Sequence, residues 1–393
     1  MTQPAVPAAR IVLLGAGHAH VGVLRSHWET PIIGARITLA TRRPETPYSG
    51  MLPGLIAGLY TYDDAHIDTR PLCAYARAEL IIAEATGLDL ANKRILCRDH
   101  PPVPFDVLSI DIGSTPSARD VPGVAEHAIR VKPIDGFLQR FEFARERILA
   151  RHGDSRIGVV GAGAGGVELM LALHARLTRD VRIAGFDPRR LQFTLFGADD
   201  DILPTFPSEM RRRFRKLLTT RTINVLTNSR VTAVTGTSVQ IEDRNPIAID
   251  DVFWTTAAAP APWLRETGLA LDGNGFIRVT ATLQSVSHPH VFAAGDVAMI
   301  DGHPTPRSGV YAVRAAVPLT ENLRRMIAGQ PLIDYRPQRE ALYLISTGER
   351  YAIGTRNGTT LGGRWVWWLK DWIDRRFMAR FKNLPSRRDQ SRP

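Results

Sequence analysis

Gly15-Ala16-Gly17-His18-Ala19-His20 and Gly161-Ala162-Gly163-Ala164-Gly165-Gly166 lie 146 residues apart, and each follows a short apolar run and opens a helical pattern. A strand that runs into a helix through such a turn needs its first glycine for the tight bend. It needs the second so that the backbone can approach a pyrophosphate, which then rests on the free N–H groups and positive dipole end of the helix. One such turn is a weak signal. Here it occurs twice, so two dinucleotides are expected on one chain.

The repetition extends beyond the turns. Asp106-Val107-Leu108-Ser109-Ile110-Asp111-Ile112-Gly113-Ser114-Thr115-Pro116 is echoed by Asp251-Val252-Phe253-Trp254-Thr255-Thr256-Ala257-Ala258-Ala259-Pro260. Each reads as a strand that ends in small residues and proline. Matching the two Asp-Val pairs gives an offset of 145, close to that of the turns, so the chain reads as two copies of one nucleotide-binding unit.

Arg10 to Leu14, Ala19 to Trp28 and Ile37 to Ala40 form a βαβ pattern. Glu79 to Leu90, Lys93 to Cys97 and Phe105 to Ile112 read as strands joined by tight turns, and Pro133 to Arg151 has helical spacing. The second unit repeats this with a strand Arg156 to Val160, a helix Gly165 to Leu177 and a strand Leu191 to Phe196. A helix capped by Ser208, three short strands and the strand Val252 to Thr255 complete it. His290-Val291-Phe292-Ala293-Ala294-Gly295-Asp296 follows as an apolar strand ending in Gly-Asp, with a helix from Gly309 to Ala328. From Tyr335 onward two strand-like runs and a tryptophan-rich helix make a smaller region.

Composition excludes several classes. With 44% hydrophobic and 23% charged residues the chain is an ordinary globular mixture. The first nine residues carry neither a cationic region nor an apolar run, so no secretory signal is expected there, and no stretch approaches a membrane span. The location expected by default is cytoplasmic. Cys73 and Cys97 offer no dithiol spacing, and no metal-site spacing of Cys or His occurs. The formal charge of +11 does not require nucleic acid as a partner, because residues 361–393 alone hold nine Lys and Arg against three Asp. The run Arg211-Arg212-Arg213-Phe214-Arg215-Lys216 reads as a solvated helix face.

Two nucleotide units in this order, with Gly-Ser-Thr-Pro after the first and Phe-Ala-Ala-Gly-Asp near the end, resemble the FAD-dependent pyridine nucleotide-disulfide oxidoreductase superfamily. Within it the chain is similar to the branch without a redox disulfide, the type II NADH dehydrogenases. Gly17-His18-Ala19-His20-Val21 and residues 47–54, 283–289 and 370–378 resemble a subgroup whose flavoprotein domain is fused ahead of selenophosphate synthetase. The resemblance implies an α/β fold with two Rossmann-like three-layer (ββα) domains and a small C-terminal α+β region. Residues 1–150 with 270–330 would bind FAD, 151–269 would bind NAD(P)H, and 331–393 would form an interface or membrane-contact region.

The same resemblance assigns sites. Gly15, Gly17 and the amides of His18 and Ala19 would face the FAD pyrophosphate, and Asp296 beside Gly295 would accept hydrogen bonds from FAD hydroxyls. Gly113 belongs to the same cofactor site, and Ser49 and Gly50 would allow close approach to the isoalloxazine ring. Gly161, Gly163, Ala164 and Gly166 would hold NADH or NADPH, with Glu168 near the nicotinamide or, alternatively, an exposed first-turn carboxylate. Lys132 is a candidate flavin neighbour that would stabilise negative charge on the reduced ring, or else a surface lysine. The implied activity is hydride transfer from NAD(P)H to FAD and then electron transfer to a small-molecule acceptor, without a metal. A sulfur- or selenium-linked oxidoreductase and a flavin-bound sensor with a vestigial second site are the alternatives.

Four departures from the family pattern stand out. His20 replaces the third glycine of the first turn, either filling space or reaching the flavin nucleotide. Arg42 stands near the place of an acidic ribose ligand, and Gly197 stands at the corresponding acidic position of the second unit. Gly309-Val310-Tyr311-Ala312-Val313-Arg314 replaces the quinone-linked motif Ala-Gln-x-Ala-x-Gln, which weakens the case for quinone as acceptor. Helical spacing in the C-terminal segment puts Trp365, Trp368, Leu369, Trp372, Ile373 and Phe377 on one face, and Lys370, Asp371, Asp374 and Arg375 on the other. Peripheral membrane contact through Trp365, Trp368 and Trp372 is one expectation; packing on the flavin domain or in a homodimer is the other.

Overall fold

The computed structural model describes residues 8–116, 121–132, 134–256, 258–338 and 340–384. Two five-stranded parallel sheets dominate it. In the first the spatial order is Val291–Ala293, Val107–Ile110, Ala9–Leu14, Ala35–Thr41 and Glu79–Ile82. In the second it is Ala128–Arg130, Asp251–Trp254, Ser155–Val160, Leu191–Phe196 and Ile223–Leu226. The central strands are almost wholly apolar because both faces of each parallel sheet are covered, and Ile11, Leu13, Ile157 and Val159 are fully buried.

Each sheet carries a small antiparallel layer, formed by Glu84–Asp89, Arg94–Arg98 and His100–Pro104 in the first unit. In the second, Val231–Val234, Ser238–Ile241 and Ile247–Ala248 make it. This is the three-layer α/β architecture expected. The run expected as one strand from Glu79 to Leu90 breaks at Ala83, its first part joining the parallel sheet and its second the antiparallel layer. The strand His100–Pro104 went unread because it contains three prolines, which an edge strand tolerates since its outer N–H groups need no partner.

The internal repeat is tighter than the sequence offset indicated. Arg10 N donates to Asp106 Oδ2 at 2.7 Å, and Arg156 N donates to Asp250 Oδ2 at 2.8 Å, each with the guanidinium closing on the same carboxylate. Ile11 pairs with Val107 and Ile157 with Asp251, so Asp106 corresponds to Asp250 rather than to Asp251 as the Asp-Val match suggested. Asp251 is instead buried against Arg147. In both copies the residue before the glycine turn opposes the end of the closing strand, Leu14 with Ile110 and Val160 with Trp254. Thr115–Pro116 and Ala258–Ala259 then cross as an antiparallel pair that joins the two units.

The late helix Gly309–Ile327 returns to the first unit and packs on the helix His18–Glu29, where a Cβ on Gly22 would lie 2.4 Å from that of Ala316. Strands Tyr343–Ser346, Ala352–Arg356 and Thr359–Gly363 form a third sheet, followed by the helix Arg364–Lys382. Ile345 and Ile353 enter the core of the second unit, and Phe377, Met378 and Phe381 enter that of the first. The C-terminal helix splits the apolar face read from its spacing: Phe377 turns inward with Lys370 and Asp374, whereas Trp365, Trp368 and Trp372 are each a little over half exposed. Among the described residues no helix is long and apolar enough to cross a membrane.

Candidate functional site

A cleft of about 390 Å³ opens at the carboxyl ends of Ala9–Leu14 and Val107–Ile110, the point where strand order reverses and α/β sheets bind ligands. Gly15, Gly17, His18, Ser49, Gly113 and Asp296 all line it, so the chain brings together residues separated by some 280 positions. Ala19 and Gly50 lie beside these lining residues in the chain. Gly15 has φ +91°, and a Cβ there would lie 2.5 Å from the carbonyl oxygen of Asp111. Gly17 is as crowded, by the Asp111 carboxylate itself. Gly113 (φ +69°) and Gly295 (φ +70°) also need the left-handed conformation that glycine adopts without strain.

Asp296, in the short 3₁₀ turn Gly295–Val297, accepts from Ser114 Oγ at 3.0 Å and from Lys132 Nζ at 2.8 Å. Burial works against its charge, yet the Lys132 ammonium and these hydrogen bonds hold its pKa below the usual carboxylate range. Lys132 is therefore not solitary, since with its side chain 35% exposed it bridges Ser114 and Asp296 at the cleft wall. His18 Nε2 is buried without a hydrogen-bond partner, and burial brings its pKa down to about 4 despite the nearby Asp296 charge. A neutral imidazole nitrogen left unpaired in a polar cleft is expected where a bound dinucleotide supplies the missing partner. With the glycine cradle, it fits FAD.

His20 does not enter the cleft. Its Nδ1 lies 2.6 Å from Gly15 O and its Nε2 2.8 Å from Ser109 Oγ, which assigns the Nδ1–H tautomer donating to the carbonyl. The expectation that its side chain reaches the nucleotide is thus corrected, because both ring nitrogens are used inside the domain. Arg42 lines the cleft with Arg43, as do Glu45, 2.5 Å from Arg70, and Glu84, 3.1 Å from Arg98. Asp111, which the sequence reading missed, also lines the cleft. Its only signal was its place immediately after the closing strand.

The second turn is built more simply. Gly161 (φ +113°) lies under Thr255, whose hydroxyl donates to Val160 O at 2.9 Å. A Cβ on Gly166 would approach Gly161 O to 1.7 Å, whereas Gly163 and Gly165 face open space. Gly163 caps the helix Ala164–Ile183 with no side chain occupying its first amides, which leaves the N-terminus free for phosphate. Gly197 is small because a Cβ there would meet Ala162 Cβ at 2.8 Å. Glu168 is not an exposed carboxylate: it accepts from Ser346 N at 2.7 Å, and burial pushes its pKa up to about 7 against the attraction of Lys370.

Between the two turns lies a buried ionic cluster from the C-terminal helix. Lys370 Nζ donates to Asp374 Oδ2 and to Gly50 O, both at 2.6 Å, and Tyr48 Oη donates to Asp374 Oδ1 at 3.1 Å. Burial opposes the Lys370 charge, but Asp374 and Glu168 keep its pKa raised.

Residues 9–316 match the pattern of the family described as pyridine nucleotide-disulphide oxidoreductase. The chain belongs to that family. It is an FAD-dependent oxidoreductase of the NADH dehydrogenase-like type, with NADH or NADPH as electron donor. The NADH dehydrogenase-like protein YutJ of Bacillus subtilis is 24% identical over 361 residues, covering 90% of this chain and 94% of its own. The demethylphylloquinone reductase NdbB of Synechocystis is 27% identical over 72% of this chain and 68% of its own. The sulfide:quinone oxidoreductase of Aquifex aeolicus superposes with a TM-score of 0.80 over 98% of this chain and 94% of its own, and at 19% identity that likeness concerns the fold.

Proposed function

We propose that this protein holds FAD at its first glycine turn and NAD(P)H at its second, and delivers the electrons to a quinone at a membrane surface. Bound FAD supplies the redox chemistry, accepting a hydride from the nicotinamide and passing electrons onward. The chain supplies position and charge. Gly15, Gly17 and the His18 amide cradle the pyrophosphate, and Asp296, pinned by Ser114 and Lys132, accepts from flavin hydroxyls. Lys132 places positive charge at the cleft wall, and the N-terminus of the late helix at Gly309 adds its dipole. Gly161, Gly163, Ala164 and Gly166 receive the pyridine nucleotide. Glu168, with its pKa pushed up to about 7 by burial and with Lys370 nearby, is suited to exchange a proton beside that site.

One observation carries the membrane and quinone part of this reading. The helix Arg364–Lys382 presents Lys370 and Asp374 to the turn Tyr48–Gly50, and its outer face carries Trp365, Trp368 and Trp372, with Arg364, Arg375, Arg376 and Arg380 also exposed. Exposed tryptophans among arginines suit an anionic lipid interface, where the rings sit at headgroup depth. Quinone as acceptor also has the support of relatives named for quinone reduction, although Val310 and Arg314 stand in the places of the expected glutamines.

Anaerobic stopped-flow mixing with NADH and then NADPH tests the donor side through bleaching of flavin absorbance, and menadione added afterwards tests the acceptor. Absence of bleaching with both nucleotides refutes the dehydrogenase reading and favours the sensor. Bleaching without reoxidation by quinones removes only the acceptor. A sulfur-linked reaction through a cysteine pair has little support: both cysteines are free thiols, and burial pushes that of Cys73 up to about 12. Kinship with the domain fused ahead of selenophosphate synthetase rests on residues 17–21, 47–54, 283–289 and 370–378, and a selenium-dependent phenotype on deletion is its test. A homodimer through the tryptophan face is the competing occupant, and sedimentation in the absence of lipid distinguishes it.

A further inference from the structure

Asp111 occupies the position that Thr255 holds in the second copy, directly after the closing strand and beneath the glycine turn. It is 2% exposed, and its carboxylate fills the space that side chains on Gly17 and Gly295 would otherwise take. Oδ2 accepts from Ala19 N at 2.9 Å. The helix His18–Glu29 has no side-chain cap of its own and no acidic residue in its first turn, so Asp111 caps it from a distant strand. That amide end is also where the FAD pyrophosphate is to sit. Two carboxylates, Asp111 and Asp296, and a pyrophosphate would then crowd together around Lys132, with low-dielectric walls strengthening their repulsion.

We propose that Asp111 binds FAD as a neutral carboxylic acid and takes up one proton as the dinucleotide docks, so that flavin retention weakens as pH rises. The inference rests on the placement of FAD at the first turn. Burial already pushes Asp111 up to about 7 and the Asp296 charge adds to this, against the N–H groups of Ala19 and His20. The other groups facing it do not titrate in that range. His18 and His20, on the helix, are held by burial near 4, and Asp296, on the 3₁₀ turn, is held ionised by Lys132, with Arg307 adding to its positive surroundings. The late helix contributes Gly309 and Ala312, which carry no charge. Above its pKa the free protein has lost a proton that the complex keeps, so log Kd rises with pH, by at most one unit per pH unit.

The test titrates deflavinated full-length protein with FAD between about pH 6 and pH 9, followed by flavin fluorescence. The expected result is a Kd that weakens by up to about tenfold per pH unit above about 7, and a flat profile for Asp111→Asn, which still accepts from Ala19 N but has no proton to lose. A flat wild-type profile, or an unchanged slope in D111N, overturns the inference. Calorimetry of the wild type alone, at pH 8 in two buffers of different ionisation heat, keeps it testable if the variant misfolds. Uptake of close to one proton supports it and zero uptake overturns it. FAD binding with no pH dependence defeats only the role of Asp111, whereas no FAD binding at any pH defeats the placement at the first turn as well.

Discussion

The two glycine turns solve one packing problem in opposite ways. In the second, Gly166 lets helix and strand touch, and the neutral Thr255 hydroxyl bonds to Val160 O. In the first, His20 props the helix off the strand, and the gap is filled by its two hydrogen bonds and by the Asp111 carboxylate. One copy is close-packed and uncharged; the other is spaced, polar and sensitive to protons. Duplicated backbone geometry thus does not impose duplicated chemistry, because the register needs only that something fill the volume above the closing strand and satisfy the turn.

The largest effect expected in breaking this contrast is Gly17→Ala. Its Cβ would fall within 2.3 Å of the Asp111 carboxylate, so the purified protein is expected to carry no flavin, a loss of at least about 100-fold in affinity. The matched change Gly166→Ala pushes a Cβ into Gly161 O, and KM for NADH is expected to rise at least about tenfold with flavin content unchanged. If both variants lost both nucleotides, the two sites would not be independent.

His20→Gly makes the first turn resemble the second without moving the helix. The cavity and the unpaired Gly15 carbonyl and Ser109 hydroxyl are expected to cost about 3 kcal/mol, read as a lower midpoint in urea. Acid sharpens the comparison, since the folded pKa of His20 is depressed to about 4 from an ordinary value near 6.5. An unfolded chain binds the proton that the folded one refuses, so stability falls as pH drops from about 6.5 towards 4, by about 3 kcal/mol at most for this residue. His20→Gln is expected to flatten that slope by about one proton, and an unchanged slope would assign the acid sensitivity elsewhere. Smallest is the triple change Trp365→Ser, Trp368→Ser, Trp372→Ser. Turnover with a water-soluble acceptor is expected to stay within about twofold, while sedimentation with anionic vesicles is lost.

Much of the fold was legible because apolar runs and glycines at fixed spacing are local properties. The strand Leu191–Phe196 and the helix beginning at Gly309 fall where periodicity put them. The antiparallel strand His100–Pro104 was not legible, since only its edge position excuses its prolines. In the site, the glycines and Asp296 were visible through their motifs, whereas Lys132 became intelligible only beside Asp296, 164 positions away. The C-terminal helix shows the limit of pattern reading. Its apolar and charged faces were both seen, but an ion pair with Tyr48 and Gly50 as further partners goes inward more readily than an isolated charge, so the tryptophans face out.

Sequence alone determined that the chain is an α/β protein with two dinucleotide turns, because the backbone geometry at a pyrophosphate demands glycine and leaves a mark that spacing preserves. Only tertiary structure decided that His20 is a spacer, that Asp111 caps the first helix, and that Asp106 answers to Asp250. Those assignments depend on which groups meet across a sheet, and burial and hydrogen-bond partners, unlike periodicity, are not properties of neighbouring residues in the chain.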